Sequence, residues 1–381
     1  MTIYLTVFFL SSLFFYVSEK AKGKYLKRIS VIVAILVPSI LAGTRASTVG
    51  TDTSVYGISF FERAVYSNGI IDYITKQIAL GNVDVGFNGI VYFASRLSKD
   101  YHVGLFFYEL ITLIFIYLFF RECKLRYDTP IWLASLLYNL ALYNTSLNIM
   151  RQNIAVAVAA YAFTFVWKNK KISYFVLMTI AFLIHSSALV GLIPFVLYMF
   201  LKTGTVYSER KQFFRCVVFV CIAFGVILGA PQLIEFLVKA GIFRDNYLKY
   251  LQGGTFSTAS EGRSVSMVTL TIQLIYIMIY TVLFRKMLNL KIESSFYLMI
   301  SAMVLVTTCF GPLFAEYVSR LSYYFIPIQM AGLATTKRLF NKKSQPIWEV
   351  VIIGIVLFSW YRTFVILGYH ETVPYVFYWG K

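Results

Sequence analysis

Residues 103–120 read VGLFFYELITLIFIYLFF, and Arg121, Lys124 and Arg126 follow directly. As a helix rising about 1.5 Å per residue, that run is about 27 Å long, close to the hydrocarbon thickness of a bilayer. Basic residues beside such a run mark the cytoplasmic side of the membrane, where Lys and Arg are retained. One stretch therefore gives both an element, a membrane-crossing helix, and a direction for it.

Similar runs recur near 1–17, 29–44, 131–147, 150–167, 172–185, 187–201, 213–230, 267–284, 294–310, 319–335 and 347–364. They predict an all-α polytopic membrane protein, a bundle of about twelve transmembrane helices forming one transmembrane domain over residues 1–381. Composition agrees. Of 381 residues, 59% are apolar, 18% aromatic and only 14% charged, with a mean hydropathy of +0.71. So few charges cannot cover a water-facing surface, so most of the exterior faces lipid. The N-terminal run lacks a basic leader and a small-residue cleavage site, and reads as a retained span. Cys123, Cys216, Cys221 and Cys309 lie in or beside apolar runs without metal or redox spacing, and read as small core residues.

The formal net charge is +18, which in a soluble chain would suggest a nucleic-acid partner. Here every second connection is basic: Lys20–Arg28, Arg121–Arg126, Lys168–Lys171, Lys202–Arg215, Arg285–Lys291 and Lys337–Lys343. With the residues flanking them, these connections hold 22 of the 35 basic residues against six acids (Glu19, Glu122, Asp128, Glu209, Glu293 and Glu349), so the surplus is a topology signal and implies no nucleic acid. They face the cytoplasm, and both termini face the other side. Two outward connections are long, 45–102 and 231–266. The first carries Tyr56, Phe60, Phe61 and Val65, then Ile70, Ile71, Ile74 and Ile78, the pattern of short amphipathic helices at an interface. Gly253, Gly254, Thr255 and Ser257 make the second a flexible stretch.

The informative charges fall at the outward ends of apolar runs. A charge at membrane depth costs about 2.5–3.5 kcal/mol, so it is retained for a reason. Arg45, Arg151 and Arg320 share that level. Taken singly, each is an interfacial snorkel or half of an ion pair. Together, three planar forks of donors suit a diphosphate. Gly50-Thr51-Asp52-Thr53 and Tyr56 follow Arg45. Asp52 reads either as a helix N-cap or as a carboxylate that pairs with Arg45 or takes a proton from a sugar hydroxyl. His185, in the brief connection between two runs, is either a satisfied core histidine or an imidazole that orients or deprotonates a hydroxyl. His102 and His370 lie near interfaces and receive no role. Asp84 stands alone in Asn82-Val83-Asp84-Val85. There is no nucleotide loop, zinc cluster, Ser-His-Asp order or Asp-X-Asp pair. The expectation is an enzyme with no metal or cofactor, using a lipid-linked donor in place of a soluble nucleotide sugar.

At these residues the chain resembles the EpsG-type branch of the Wzy polysaccharide polymerases. The resemblance rests on Arg45 with Gly50-Thr51-Asp52-Thr53 and Tyr56, on Gly86-Phe87-Asn88, and on Arg151-Gln152-Asn153-Ile154-Ala155. The hairpin Ala181–Leu189 around His185, Arg320 with Tyr323 and Tyr324, and Pro374-Tyr375 complete it, so the markers span nearly the whole chain. It implies a GT-C-like bundle with its active site on outward loops, in a bacterial inner (plasma) membrane. Its substrates would be oligosaccharide repeat units on undecaprenyl diphosphate, the growing glycan passing to a hydroxyl of the next unit. By position it implies Arg45, Arg151 and Arg320 on the diphosphate. Asp52 and His185 become the catalytic candidates, and both fit the general base. Tyr56, Asn88, Gln152, Tyr323 and Tyr324 would line the substrate. A flippase and a chain-length regulator are the partners it implies. A transporter of lipid-linked oligosaccharide would share the topology but spread its polar groups through the midplane. A membrane acyltransferase or ligase of surface glycans would share the topology, and an acyltransferase would need its own acyl-acceptor base.

Overall fold

The computed structural model describes residues 1–202, 229–240, 266–290, 293–310 and 316–380, with a few positions between 214 and 225. Among them the chain is helical throughout. The only extended pairing among the described residues is an isolated bridge between Arg45 and Phe377. By their contacts the helices gather into two compact units, Met1–Leu192 with Met330–Lys381, and Ile193–Gln329.

In the first unit α1 (Thr2–Lys20) and α2 (Lys24–Gly43) form a hairpin. Ser11 of α1 donates to the Ala34 carbonyl of α2 at 2.7 Å, as small polar side chains do where helices approach closely. The long connection 45–102 folds into a π-helical turn (Thr53–Ile58), α3 (Ser59–Val65), α4 (Ile70–Ala79) and α5 (Val85–Leu97). Short helices were expected in this stretch. The deciding run becomes α6 (Tyr101–Tyr127), closed by Asp128 in the left-handed conformation. Pro130 opens α7 (Ile131–Tyr138), which continues through a π-helical turn (Asn139–Tyr143) into α8 (Asn144–Asn148). A break at Ile149 separates this segment from α9 (Met150–Trp167). α10 (Lys171–Ile184) and a 3-10 turn (Ser186–Gly191) follow.

α9 lies at the centre. Its alanines, Ala155, Ala157, Ala159, Ala160 and Ala162, are buried, letting α6 and α10 pack against it from different sides. Its ends differ in character. Arg151, Gln152 and Asn153 open it, whereas Lys168 closes it beside the C-terminus of α6, where it pairs with Glu122 at 2.8 Å. Lys124 of α6 pairs with Glu19 of α1 at 2.7 Å, Arg338 donates to the Tyr127 carbonyl, and Lys337 pairs with Glu349. Four basic connections of this unit therefore share one end.

The second unit contains α11 (Leu192–Lys202), α12 (Ala230–Lys239), α13 (Met267–Val282), α14 (Phe284–Asn289), α15 (Ser294–Leu305) and α16 (Glu316–Arg320). Tyr280 of α13 stacks on Tyr297 of α15 and donates to the Gln329 carbonyl at 2.9 Å. α17 (Ile326–Thr336) returns the chain to the first unit, which α18 (Gln345–Trp360) completes.

Among the described residues four helices, Thr2–Lys20, Lys24–Gly43, Tyr101–Tyr127 and Gln345–Ile366, are long and apolar enough to cross a membrane. Shorter apolar helices cover 171–184, 186–202, 267–282 and 294–309. α9 falls below that measure because its first turn is polar, and 131–148 because Asn139, Asn144 and Asn148 interrupt its apolar run. Of the connection 231–266, residues 231–239 belong to α12, and its Gly/Ser/Thr stretch lies outside the described residues, as does Cys216. Cys123 and Cys309 are buried as expected, but Cys221 is exposed and no core residue.

Candidate functional site

The end of the first unit remote from the basic connections is built by segments distant in sequence. Beyond α2, residues 44–46 run beside 376–378: Ala46 N–H donates to the Val376 carbonyl at 2.8 Å and Tyr378 N–H to the Thr44 carbonyl at 3.1 Å. Tyr375 donates to the Leu41 carbonyl at 2.6 Å, and Tyr4 of α1 to the Thr372 carbonyl at 2.6 Å. Thr372 in turn accepts from Asn144, whose carbonyl receives the Trp360 indole N–H at 2.7 Å. The C-terminal segment is thus a strap bound across the mouth of the helices.

Arg45 is 1% exposed beneath that strap. Its guanidinium donates to the carbonyls of Ala42 (2.8 Å) and Leu147 (2.9 Å) and touches Met150 Sδ at 3.4 Å. Burial makes it hold its proton less firmly than an exposed arginine does. The expected pairing of Arg45 with Asp52 does not form, because its donors satisfy carbonyls left open at the ends of α2 and α8. Its Nε makes no hydrogen bond among the described residues, and the residue borders a narrow void lined also by Tyr108, Glu109 and Ser146, where Ser146 donates to Glu109 at 2.6 Å.

Gly50 lies at φ +91°, where a Cβ would meet the Leu147 carbonyl at 3.2 Å, so the turn after Arg45 needs glycine. Next to it the Asn148 side-chain carbonyl accepts from the Asp52 N–H (2.7 Å) and the Thr51 hydroxyl (3.0 Å). Asp52 precedes the π-helical turn without capping it by its side chain, so the N-cap reading is not realised.

Arg151, at the start of α9, donates to Asp84 Oδ2 at 2.7 Å and lies 3.9 Å from the centre of the Tyr56 ring. A stacked guanidinium is attracted to the ring face by roughly 0.5–2 kcal/mol. Paired on one edge and stacked on one face, it has a fixed plane, and its other donors make no hydrogen bond among the described residues. Asp84 also accepts from the Ser186 N–H, and burial holds its carboxyl above the usual carboxylate range despite Arg151. That contact depends on Gly86: a Cβ there would sit 2.8–2.9 Å from the backbone of Leu183 and Ile184, so only glycine lets α5 reach the end of α10. His185, next to Ser186, accepts the Ser187 N–H at Nδ1 (3.3 Å).

The structure therefore brings Arg151, Tyr56, Asp84 and the His185–Ser186 turn together, with Asp52 and Arg45 joined to the same end through α8. Asn88 and Gln152 are buried; Asn88 donates to the Asn82 carbonyl at 3.2 Å and braces the turn before Asp84. Arg320 ends α16 in the second unit, leading into a 3-10 turn that buries Tyr323 and Tyr324. Asp84 and His370 receive no role from the sequence, and Glu109 is not singled out by it. Glu109 had a signal, an acid inside the run 103–120. Asp84 had none, because its partner lies 67 residues away. Among the described residues no group of three or more His, Cys, Asp or Glu is placed to hold a metal ion.

A model of the EpsG family matches residues 28–377. No curated protein and no solved structure matches the chain.

Proposed function

The chain belongs to the EpsG family, and from that membership we propose that it is a polysaccharide polymerase, a glycosyltransferase of GT-C type working at the outer face of the bacterial inner membrane. Its substrates are oligosaccharide repeat units carried on undecaprenyl diphosphate. A hydroxyl oxygen of the acceptor unit attacks the anomeric carbon of the growing glycan. The bond from that carbon to the diphosphate oxygen breaks, undecaprenyl diphosphate leaves with the electron pair, and the hydroxyl proton passes to a base.

The observation that carries this reading is Arg151. Its guanidinium is held by Asp84 and Tyr56 with donors unspent, as a site requires that must meet charge developing on a leaving diphosphate. Arg45 supports the site by fixing the ends of α2 and α8. Because the Ser187 N–H points at His185 Nδ1, a neutral His185 carries its proton on Nε2 and serves as a donor to substrate. Asp52 then takes the proton.

The test is polymerisation by the purified protein, given lipid-linked repeat units, with the products resolved by length. Polymer from the wild-type chain and little from the Arg151→Lys, Asp52→Asn and Arg320→Lys variants is the expected result. In cells, deleting the gene should leave single lipid-linked units. Undiminished polymer in the deletion strain overturns the proposal.

A further inference from the structure

Asn148 has its side-chain orientation fixed by chemistry. The Asp52 N–H can only donate, so the Asn148 atom it meets at 2.7 Å is the carbonyl oxygen. The amide nitrogen then points the other way, at Nδ1 of His370, 2.8 Å distant. An amide nitrogen can only donate, so His370 Nδ1 is an acceptor and a neutral ring has its proton on Nε2. His370 sits in the strap at φ +66°, next to Glu371 at φ +52°, a left-handed pair of non-glycine residues of the kind kept where surrounding contacts demand it. A second contact binds the same two segments: the Gly50 N–H donates to the Glu371 carbonyl at 3.3 Å.

We propose that His370 is a positioning residue, acting through Asn148 to fix the Thr51-Asp52 backbone and so aim Asp52. The inference rests on Asp52 being the proton acceptor of the polymerisation. The relay runs one way, from ring lone pair to amide N–H and from amide carbonyl to the Asp52 N–H. With the acceptor gone, Asn148 is free to turn about its side chain, and both donors at Thr51 and Asp52 lose a fixed partner.

Three variants of the full chain separate this from a merely structural role. His370→Gly suits the left-handed backbone but removes the acceptor; His370→Asn suits it and restores an acceptor near Nδ1; Asn148→Leu removes the relay itself. Hydrogen exchange of the peptide spanning Gly50–Tyr56 should rise about tenfold in His370→Gly and Asn148→Leu and stay at the wild-type level in His370→Asn, since one hydrogen bond is worth about one decade. In polymerisation, kcat should fall about tenfold in the first two with KM unchanged, and His370→Asn should keep it. Nitrogen NMR of the three histidines, assigned by the signal lost in His370→Asn, should show an unprotonated Nδ1 at His370. A protonated Nδ1, or a His370→Gly chain with wild-type exchange, overturns the proposal. If the wild-type chain polymerises nothing, the proposed function fails, while the exchange and NMR arms still decide whether His370 holds the Asp52 loop.

Discussion

Arg151 presents a fork of donors in one plane only while Asp84 and Tyr56 hold it there. A lysine at 151 keeps the charge but can neither stack as a plane nor bind two oxygens at once. Arg151→Lys is therefore expected to lower polymerisation about 10²-fold, the loss typical of one preorganised donor group, with little change in thermal unfolding. Asp84 adds a pH signature. Its carboxyl is pushed above the ordinary 3.8 by burial, so the folded chain keeps this proton at pH values where the unfolded chain has released it. Between 3.8 and the raised value the folded state binds more protons, and this group's contribution to stability declines as pH rises. Asp84→Asn should flatten that part of the profile of unfolding temperature against pH, measured in detergent. An unchanged slope would show that Asp84 ionises as an ordinary surface carboxylate.

At the scale of elements, α5 and α10 meet through Gly86, and the neighbouring Gly89 gives the control. A Cβ at 86 strikes backbone atoms of Leu183 and Ile184, which cannot swing aside, whereas a Cβ at 89 meets nothing within 4 Å. Gly86→Ala should cost about 1–3 kcal/mol and most of the polymer, by parting Asp84 from Ser186. Gly89→Ala should leave activity intact and stabilise α5 by about 0.4–1 kcal/mol. Melting curves and product ladders for the two variants decide it. The elements were legible because apolar periodicity is local: the run at 103–120 lies within α6, and short helices do occupy 45–102. The site was legible in part. Arg151 and His185 stand out as polar residues at the ends of apolar runs, and Asp52 as the carboxylate following Gly50. Partnerships were not legible. Nothing in Asn82-Val83-Asp84-Val85 points to Arg151, and a strap with no helical period gave His370 no visible place. Arg45 shows the converse, a residue expected on a diphosphate whose donors are spent on backbone carbonyls.

For the whole molecule, charge and chemistry lie at opposite ends of the first unit. The pairs Lys124–Glu19 and Lys168–Glu122 join the C-termini of α1, α6 and α9, while Arg151, Asp84 and the strap gather at the N-terminus of α9. If the membrane reads this asymmetry by its usual rule, the basic end stays in the cytoplasm and the site end faces out. Gly23, in the basic turn between α1 and α2, and Gly81, in the turn before Asp84, then lie on opposite sides. Neither position has a neighbour within 4 Å of an added Cβ, so reporters inserted there should leave the helices undisturbed. A reporter active only in the cytoplasm should work at Gly23 and fail at Gly81, and one active only outside should do the reverse. The sign matters as much as the difference. With Gly81 in the cytoplasm, Arg151 would meet phosphates on the inner side, where soluble nucleotide sugars are made. A lipid-linked donor would then lose its advantage, and the proposed polymerase would have to give way to an enzyme or carrier of the inner leaflet.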